Sequence, residues 1–163
     1  MMDLSGKKDF YLEPGHVCFS AEPIIIRTVL GSCVAVCLWD RDLCQGGVSH
    51  FIQPWAHSRD KATPEYGNAA TVALLRLLEE TGSRREHLIA QVAGGAKPEM
   101  PGGDDLGFAN IEAAHRILER KGIPIASQDV GGTMGRKIIF DTYTGHLVVL
   151  KVHRVRDSDW IQE

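Results

Sequence analysis

Apolar positions recur over short, β-branched runs in the first third of the chain and at helical intervals in its middle. That change of period sets the expected layout. Residues 17–20, 24–29, 34–39 and 48–52 are rich in β-branched or aromatic side chains and are separated by turn-forming residues, which predicts four early strands. Residues 41–47 form a compact connection between the third and fourth, so these two should pair antiparallel. From 69 to 80 the period lengthens: Ala70, Ala73, Leu74, Leu77 and Leu78 make the stripe of a helix laid on a sheet, with Gly82 as its stop. A fifth strand is expected at 88–93. Asp104-Asp105 then opens a second helix with the stripe Phe108, Ile111, Ala114 and Leu118, ended by Lys121-Gly122 before Ile123-Pro124.

Strands return at 123–128, 137–141 and 146–152, with Tyr143-Thr144-Gly145 closing a hairpin between the last two. Eight or more strands and two amphipathic helices imply a layered α/β sandwich whose sheet pairing is mostly antiparallel or mixed. The 163 residues fit one domain, 1–163, with a polar tail from about residue 154. The stretch 55–65 is polar and reads as a surface loop.

Composition removes several function classes. A net charge of −3 and a pI near 6.2 lack the basic footprint of a nucleic-acid binder. No apolar run approaches the ~18 residues of a membrane span. The first nine residues carry Asp3, Lys7, Lys8 and Asp9 where a secretory signal needs an apolar stretch, so the cytoplasm is the expected compartment. In a reducing compartment, Cys18, Cys33, Cys37 and Cys44 are expected as free thiols. Zinc is disfavoured: Cys33, Cys37, Cys44 and His50 lie within eighteen residues, but Cys33 and Cys37 sit on strand-like sequence about two pleats apart, not on a turn.

The candidate chemistry lies in Thr28-Val-Leu-Gly-Ser-Cys33 and in Gly46-Gly-Val-Ser-His50. A thiol and an imidazole on neighbouring strands are the minimum kit for acyl transfer, with the thiolate as nucleophile and the imidazole moving the proton. Gly31-Ser32 is a small-residue approach that lets the thiol emerge at a strand end where backbone N–H groups can face an oxyanion. A loop at 41–47 would pair residues near 39 with those near 48 and set His50 nearer Trp39 or Cys37, so a bulge, a splayed end or a shorter true strand would have to bring it to Cys33. His50 stands apart from His16, His57, His87, His146 and His153, expected in loops or on strand surfaces, and from His115, expected as a hydrogen-bonded core residue. The Gly-Gly pairs at 46, 94, 102 and 131 read as tight turns. None is followed by the Gly-Lys-Ser/Thr of a phosphate loop.

Leu30-Gly-Ser-Cys-Val-Ala-Val-Cys-Leu-Trp-Asp40, Gly46-Gly-Val-Ser-His-Phe-Ile-Gln-Pro54, Gly94-Gly-Ala96 and Asp129-Val-Gly-Gly-Thr-Met-Gly-Arg136 closely resemble, in order, the bacterial chemoreceptor glutamine deamidase family, CheD. The resemblance runs from about Pro14 to Val152. It implies a cytoplasmic enzyme that converts glutamine side chains of chemotaxis receptors to glutamate, with Cys33 as nucleophile and His50 as base. No cofactor is required. The family's third catalytic residue is a threonine, usually six positions before the cysteine; that position here is Arg27, and the threonine is Thr28, five before. Thr28 is then expected to orient the imidazole, with Ser32 or Ser49 next in line. The resemblance further implies receptor helices as substrate and a CheC-like phosphatase as a possible partner, and it lends Gly131-Gly132 the reading of a bare backbone that leaves room for a substrate helix. A non-catalytic adaptor and a thiol hydrolase of small amides or esters are the alternatives.

Overall fold

The computed structural model describes residues 2–99 and 103–153. Gly102 and the polar tail from 154 lie outside them. The elements run β1 (Lys8–Tyr11), β2 (His16–Ser20), β3 (Ile24–Leu30), β4 (Val34–Asp40), β5 (Gln45–Phe51), α1 (Gly67–Glu80), β6 (Leu88–Gly94), α2 (Leu106–Lys121), β7 (Ile125–Val130), β8 (Gly135–Asp141) and β9 (Leu147–Val152). They form two mixed sheets, ordered β1-β3-β8-β9 and β2-β5-β4-β6-β7. β1 lies parallel to β3 and β7 parallel to β6, and the remaining pairs are antiparallel. The expected layered α/β architecture is present.

Sheet β2-β5-β4-β6-β7 is the middle layer, which explains why β4 is almost continuously apolar: a strand buried on both faces has no polar side to alternate with. Val34, Val36 and Leu38 join Leu74, Leu78, Ala114 and Leu118 under the helices, while Ala35 and Cys37 join Ile26, Leu30, Ile138 and Phe140 between the sheets. Each such large side chain contributes roughly 1.5–3 kcal/mol on burial.

The β4–β5 hairpin is tighter than its sequence implies. Its loop spans only 41–44, because Asp40 Oδ1 accepts the N–H groups of Asp42 (2.8 Å) and Leu43 (3.0 Å), and Asp40 O accepts that of Cys44 (3.0 Å). β5 therefore begins at Gln45, and Gly46-Gly47 are strand residues, correcting the turn expected there. Gly47 serves close approach: a Cβ would stand 2.7 Å from Leu74 Cδ1 on α1.

Both helices form where expected, with most of each expected stripe buried and one edge of the stripe displaced. On α1, Leu75 is buried and Leu77 is 37% exposed; on α2, Phe108 is 56% exposed and the buried face runs through Gly107, Asn110, Ile111, Ala114, Ile117 and Leu118. The cause on α2 is Gly107, which lets the helix rest directly on the Gly95 and Ala96 backbone. Asp105 caps α2 by accepting the Phe108 N–H at 2.9 Å, and Gly122 ends it with φ of 69°. β1 carried no sequence signal, being a mostly exposed edge strand with no apolar alternation.

Candidate active site

The hairpin register decides where His50 goes. Asp40 opposite Gln45 places Ala35 opposite His50 and Val34 opposite Phe51. Cys33 is the next residue beyond Val34, so it lies diagonally across from His50 on the same face, where such neighbours are about 7–8 Å apart. No bulge is needed, and the expected offset toward Trp39 or Cys37 is corrected by the shorter loop. Both residues face the space between the sheets: Cys33 packs against the inter-sheet cluster, and His50 is fully buried.

Thr28 enters this space from β3 of the other sheet. Its Oγ1 lies 2.7 Å from His50 Nδ1 and 2.7 Å from the carbonyl of Leu12. The carbonyl can only accept, so the hydroxyl donates its one proton to Leu12 and takes the Nδ1–H of His50. This fixes the tautomer. His50 Nε2 then carries a lone pair, and it is buried with no hydrogen-bond partner among the described residues. Arg27, one residue earlier and on the opposite face of β3, pairs with Asp9 at 2.7 Å. Ser49 turns toward the helix layer, its Oγ facing Val36 O at 3.5 Å.

The Cys33 turn is held by three successive carbonyls. Gly31 O accepts the Ala96 N–H (3.0 Å), Cys33 O accepts the Gly95 N–H (2.8 Å), and Ser32 O accepts from Asn110 Nδ2 (2.9 Å). Gly94, at φ 109°, leaves no room for a side chain against the Cys33 carbonyl. A cavity of about 220 Å³ opens beside Ser32, bounded by Ala96, Lys97 and the first turn of α2.

The family model described as CheD chemotactic sensory transduction matches residues 53–151. A protein of Trichlorobacter lovleyi named probable chemoreceptor glutamine deamidase CheD is 43% identical over 145 residues, covering 88% of this chain and 90% of its own. Similarly named proteins of Sulfurimonas denitrificans and Methanococcus vannielii are 36% and 34% identical, each over 88% of this chain and over 94% and 95% of their own lengths. The chain belongs to the CheD family. These alignments extend well beyond the matched family segment, which begins after both Cys33 and His50.

In this CheD-family chain, burial sets the resting charge of the pair. Burial pushes the Cys33 thiol up to about 11, opposed slightly by its own N–H, and burial together with the neighbouring His16 pushes His50 down to about 3. The pair therefore rests as neutral thiol and neutral imidazole. His16 is exposed at the start of β2, a strand-surface position as expected, and it stands opposite His50 and adds to that downward push.

Two of the other three thiols are placed away from this pair. Cys37 is buried between the sheets and its thiol is pushed up by burial, while Cys44 sits at the hairpin tip, at the opposite end of β4 from Cys33. The four zinc candidates do not converge. The loop after β5 has its base beside the site: Ile52 and Gln53 both donate to Glu65 O, closing it two residues past His50. On the other side, Gly131 N–H donates to Gly94 O and Lys97 N–H to Gly132 O, stitching the 131–132 turn to the segment that holds Cys33. His115 is half-buried and bonded to Gln128 Oε1 at 2.7 Å.

Two residues at this end of the fold escaped sequence reasoning. Arg136 is buried against Asp129 (3.0 Å) and accepts its place by donating to Met134 O and Gly94 O. Its signal was present in the Asp129-to-Arg136 motif, whose first and last residues form the pair. Asn110 is a polar residue on the buried face of α2, beside Ile111 and Ala114 of the expected stripe, and a hydrophobic pattern gives a polar side chain no signal. No helix among the described residues is long and apolar enough to cross a membrane.

Proposed function

We propose that this chain hydrolyses glutamine side-chain amides of chemoreceptors to glutamate and ammonia through a Cys33 thioester. The observation that carries this reading is the Thr28–His50 hydrogen bond, which leaves a buried, unpartnered Nε2 on the same face as Cys33. The names of the relatives supply the substrate class.

In the first step His50 Nε2 takes the Cys33 proton as the sulfur attacks the amide carbon, and the carbonyl oxygen becomes an oxyanion held by backbone N–H groups at Cys33. The imidazolium, stabilised through Nδ1–H by Thr28, then protonates the amide nitrogen. The C–N bond breaks, ammonia leaves, and a thioester remains. Water attacks the thioester with His50 again as base; the C–S bond breaks, the carboxylate departs, and Cys33 recovers its proton. Because both partners start neutral, the imidazolium exists only while the oxyanion does, so Thr28 favours the charged state and does little for the resting one.

The test is mass spectrometry of a receptor cytoplasmic fragment incubated with the purified protein and ammonium release measured in parallel. Glutamine-to-glutamate conversion that disappears in Cys33→Ala supports the reading. Conversion of small amides with the receptor fragment untouched would make the chain a small-molecule thiol amidase. A folded chain that binds the fragment and converts nothing would make it an adaptor.

A further inference from the structure

We infer that Asn110 is a positioning residue that sets the Cys33 N–H as an oxyanion donor, an inference that rests on the Cys33–His50 reading above. Asn110 lies in the second turn of α2 and is fully buried. Its Nδ2 has two protons, and both are used: one goes to Ser32 O at 2.9 Å and one to Ile52 O at 3.0 Å. Those acceptors are the residue just before Cys33 and the position that faces Cys33 when the β4–β5 ladder is continued by one step.

Ser32 C=O and Cys33 N–H belong to one planar trans peptide and point in opposite directions. Holding the carbonyl toward α2 therefore turns the N–H away from the helix. That direction agrees with the N–H lying beside its own sulfur, where it opposes the upward push on the thiol. An oxyanion formed by attack of that sulfur develops next to the same N–H, where a preorganised donor acts most strongly. The flanking carbonyls, Gly31 O and Cys33 O, are held by backbone N–H groups of Ala96 and Gly95. Ser32 O alone of the three is held by a side chain, so one substitution can release this carbonyl and leave its two neighbours in the turn held.

The second bond, to Ile52 O, ties the same amide to the strand that carries His50, so nucleophile turn and base strand share one brace. Asn110 Oδ1 is buried with no partner among the described residues. A buried acceptor without a partner is costly. An apolar side chain would fill this position better if packing were its only task, which leaves the two Nδ2 bonds as what asparagine supplies.

The test is Asn110→Asp, which keeps the size and replaces Nδ2 by an oxygen that repels both carbonyls. Two rates are measured: deamidation of a helical receptor fragment, resolved into kcat and KM, and alkylation of Cys33 by iodoacetamide, read on the Cys33-containing peptide. Displacement at a saturated carbon forms no oxyanion, so alkylation should stay within about threefold of the parent while kcat falls by about ten- to a hundredfold at little-changed KM. Unchanged kcat in the folded variant overturns the inference. Alkylation that falls together with kcat also overturns it, because the thiol itself has then moved. Asn110→Ser gives the same readouts if the Asp variant does not fold by circular dichroism. Failure of the parent reading looks different: Cys33→Ala would still deamidate.

Discussion

Thr28 and His50 belong to different sheets, yet their side chains meet at 2.7 Å in the space between them, and the same hydroxyl reaches the Leu12 carbonyl. The direction in which Thr28 Oγ1 points its one proton thereby decides which nitrogen of His50 carries the ring proton. A free serine hydroxyl could do this from the same backbone position, and a methyl group could not. Thr28→Val should lower kcat by about one to two orders of magnitude, whereas Thr28→Ser retains most activity. Arg27→Ala should stay close to the parent, since Arg27 pairs with Asp9 on the other face. Steady-state kinetics on all three variants decides between Thr28 and another orienting group. Full activity in Thr28→Val removes Thr28 from the mechanism.

Much of this arrangement was legible in the sequence, and the limits were physical. The strand runs, both helices and the α2 caps follow from local pattern, because period and capping chemistry are properties of a few neighbouring residues. The diagonal placement of Cys33 and His50 was not legible, because it depends on Asp40 folding its carboxylate onto the Asp42 and Leu43 N–H groups and shortening the loop. A two-residue change in the loop moves His50 by one same-face step along β4. Asn110 was hidden for a different reason: it lies beside Ile111 and Ala114 of the expected stripe, where a hydrophobic pattern gives a polar side chain no signal.

Cysteine substitution separates chemistry from packing. Cys33→Ala should abolish turnover and leave the melting temperature near that of the parent, since Cys33 is only half-buried at a strand end. Cys37→Ala removes a buried sulfur between the sheets and should cost on the order of 1 kcal/mol of stability while keeping turnover. Cys44→Ala should change neither. Thermal melts beside ammonium-release assays show the pattern, and equal loss of turnover from Cys33→Ala and Cys37→Ala would contradict it.

The resting charges fix a pH dependence of opposite sign at each end. The proposed mechanism needs His50 neutral and able to accept, and its folded value of about 3 keeps it so well below the ordinary imidazole range. With Cys33 at about 11, kcat/KM should be nearly flat from about pH 5 to about pH 9. An acid limb near the ordinary value of 6.5 would show that His50 is open to water in solution. Stability behaves differently. Below 6.5 the unfolded chain takes up a proton at His50 and the folded chain does not, so His50's contribution is complete above that pH and is lost as pH falls toward 3. The slope from this group is about 1.4 kcal/mol per pH unit. At the alkaline end the unfolded Cys33 ionises above 9 while the folded thiol holds its proton to about 11, so stability declines again as pH rises through that window. Urea melts between about pH 4.5 and pH 7.5 should show the acid slope in the parent and a shallower one in His50→Gln. Burial pushes the Asp141 carboxyl up, but hydrogen bonds from Lys7 and from the Tyr143 and Thr144 N–H groups together hold it below its ordinary value of 3.8, so it adds its own loss only at lower pH.

The surroundings of Cys33 set what substrate shape can reach it. The thiol lies at a strand end flanked by the base of the 53–66 loop on the His50 side and by the 131–132 turn, stitched through Gly94 and Lys97, on the other. Gly131 and Gly132 present no side chain there, and nothing stands within 4 Å of where a Cβ would be at either, so this rim is low. A glutamine projecting from an intact helix can extend over such a rim while the rest of the helix rests on the two flanking segments. Those remote contacts favour the transition state only if the helix stays whole, because an unfolded peptide must be ordered before it can make them. Intact helical receptor fragments should therefore be deamidated with kcat/KM about tenfold or more above short unstructured peptides of the same sequence, and free glutamine should be slower still. Replacing Gly132 with a bulky residue such as Trp should reduce the rate on the helical fragment far more than the rate on the short peptide. Equal rates on all three substrates, or equal loss on both in Gly132→Trp, would mean that the site takes the amide alone and does not read the helix that carries it.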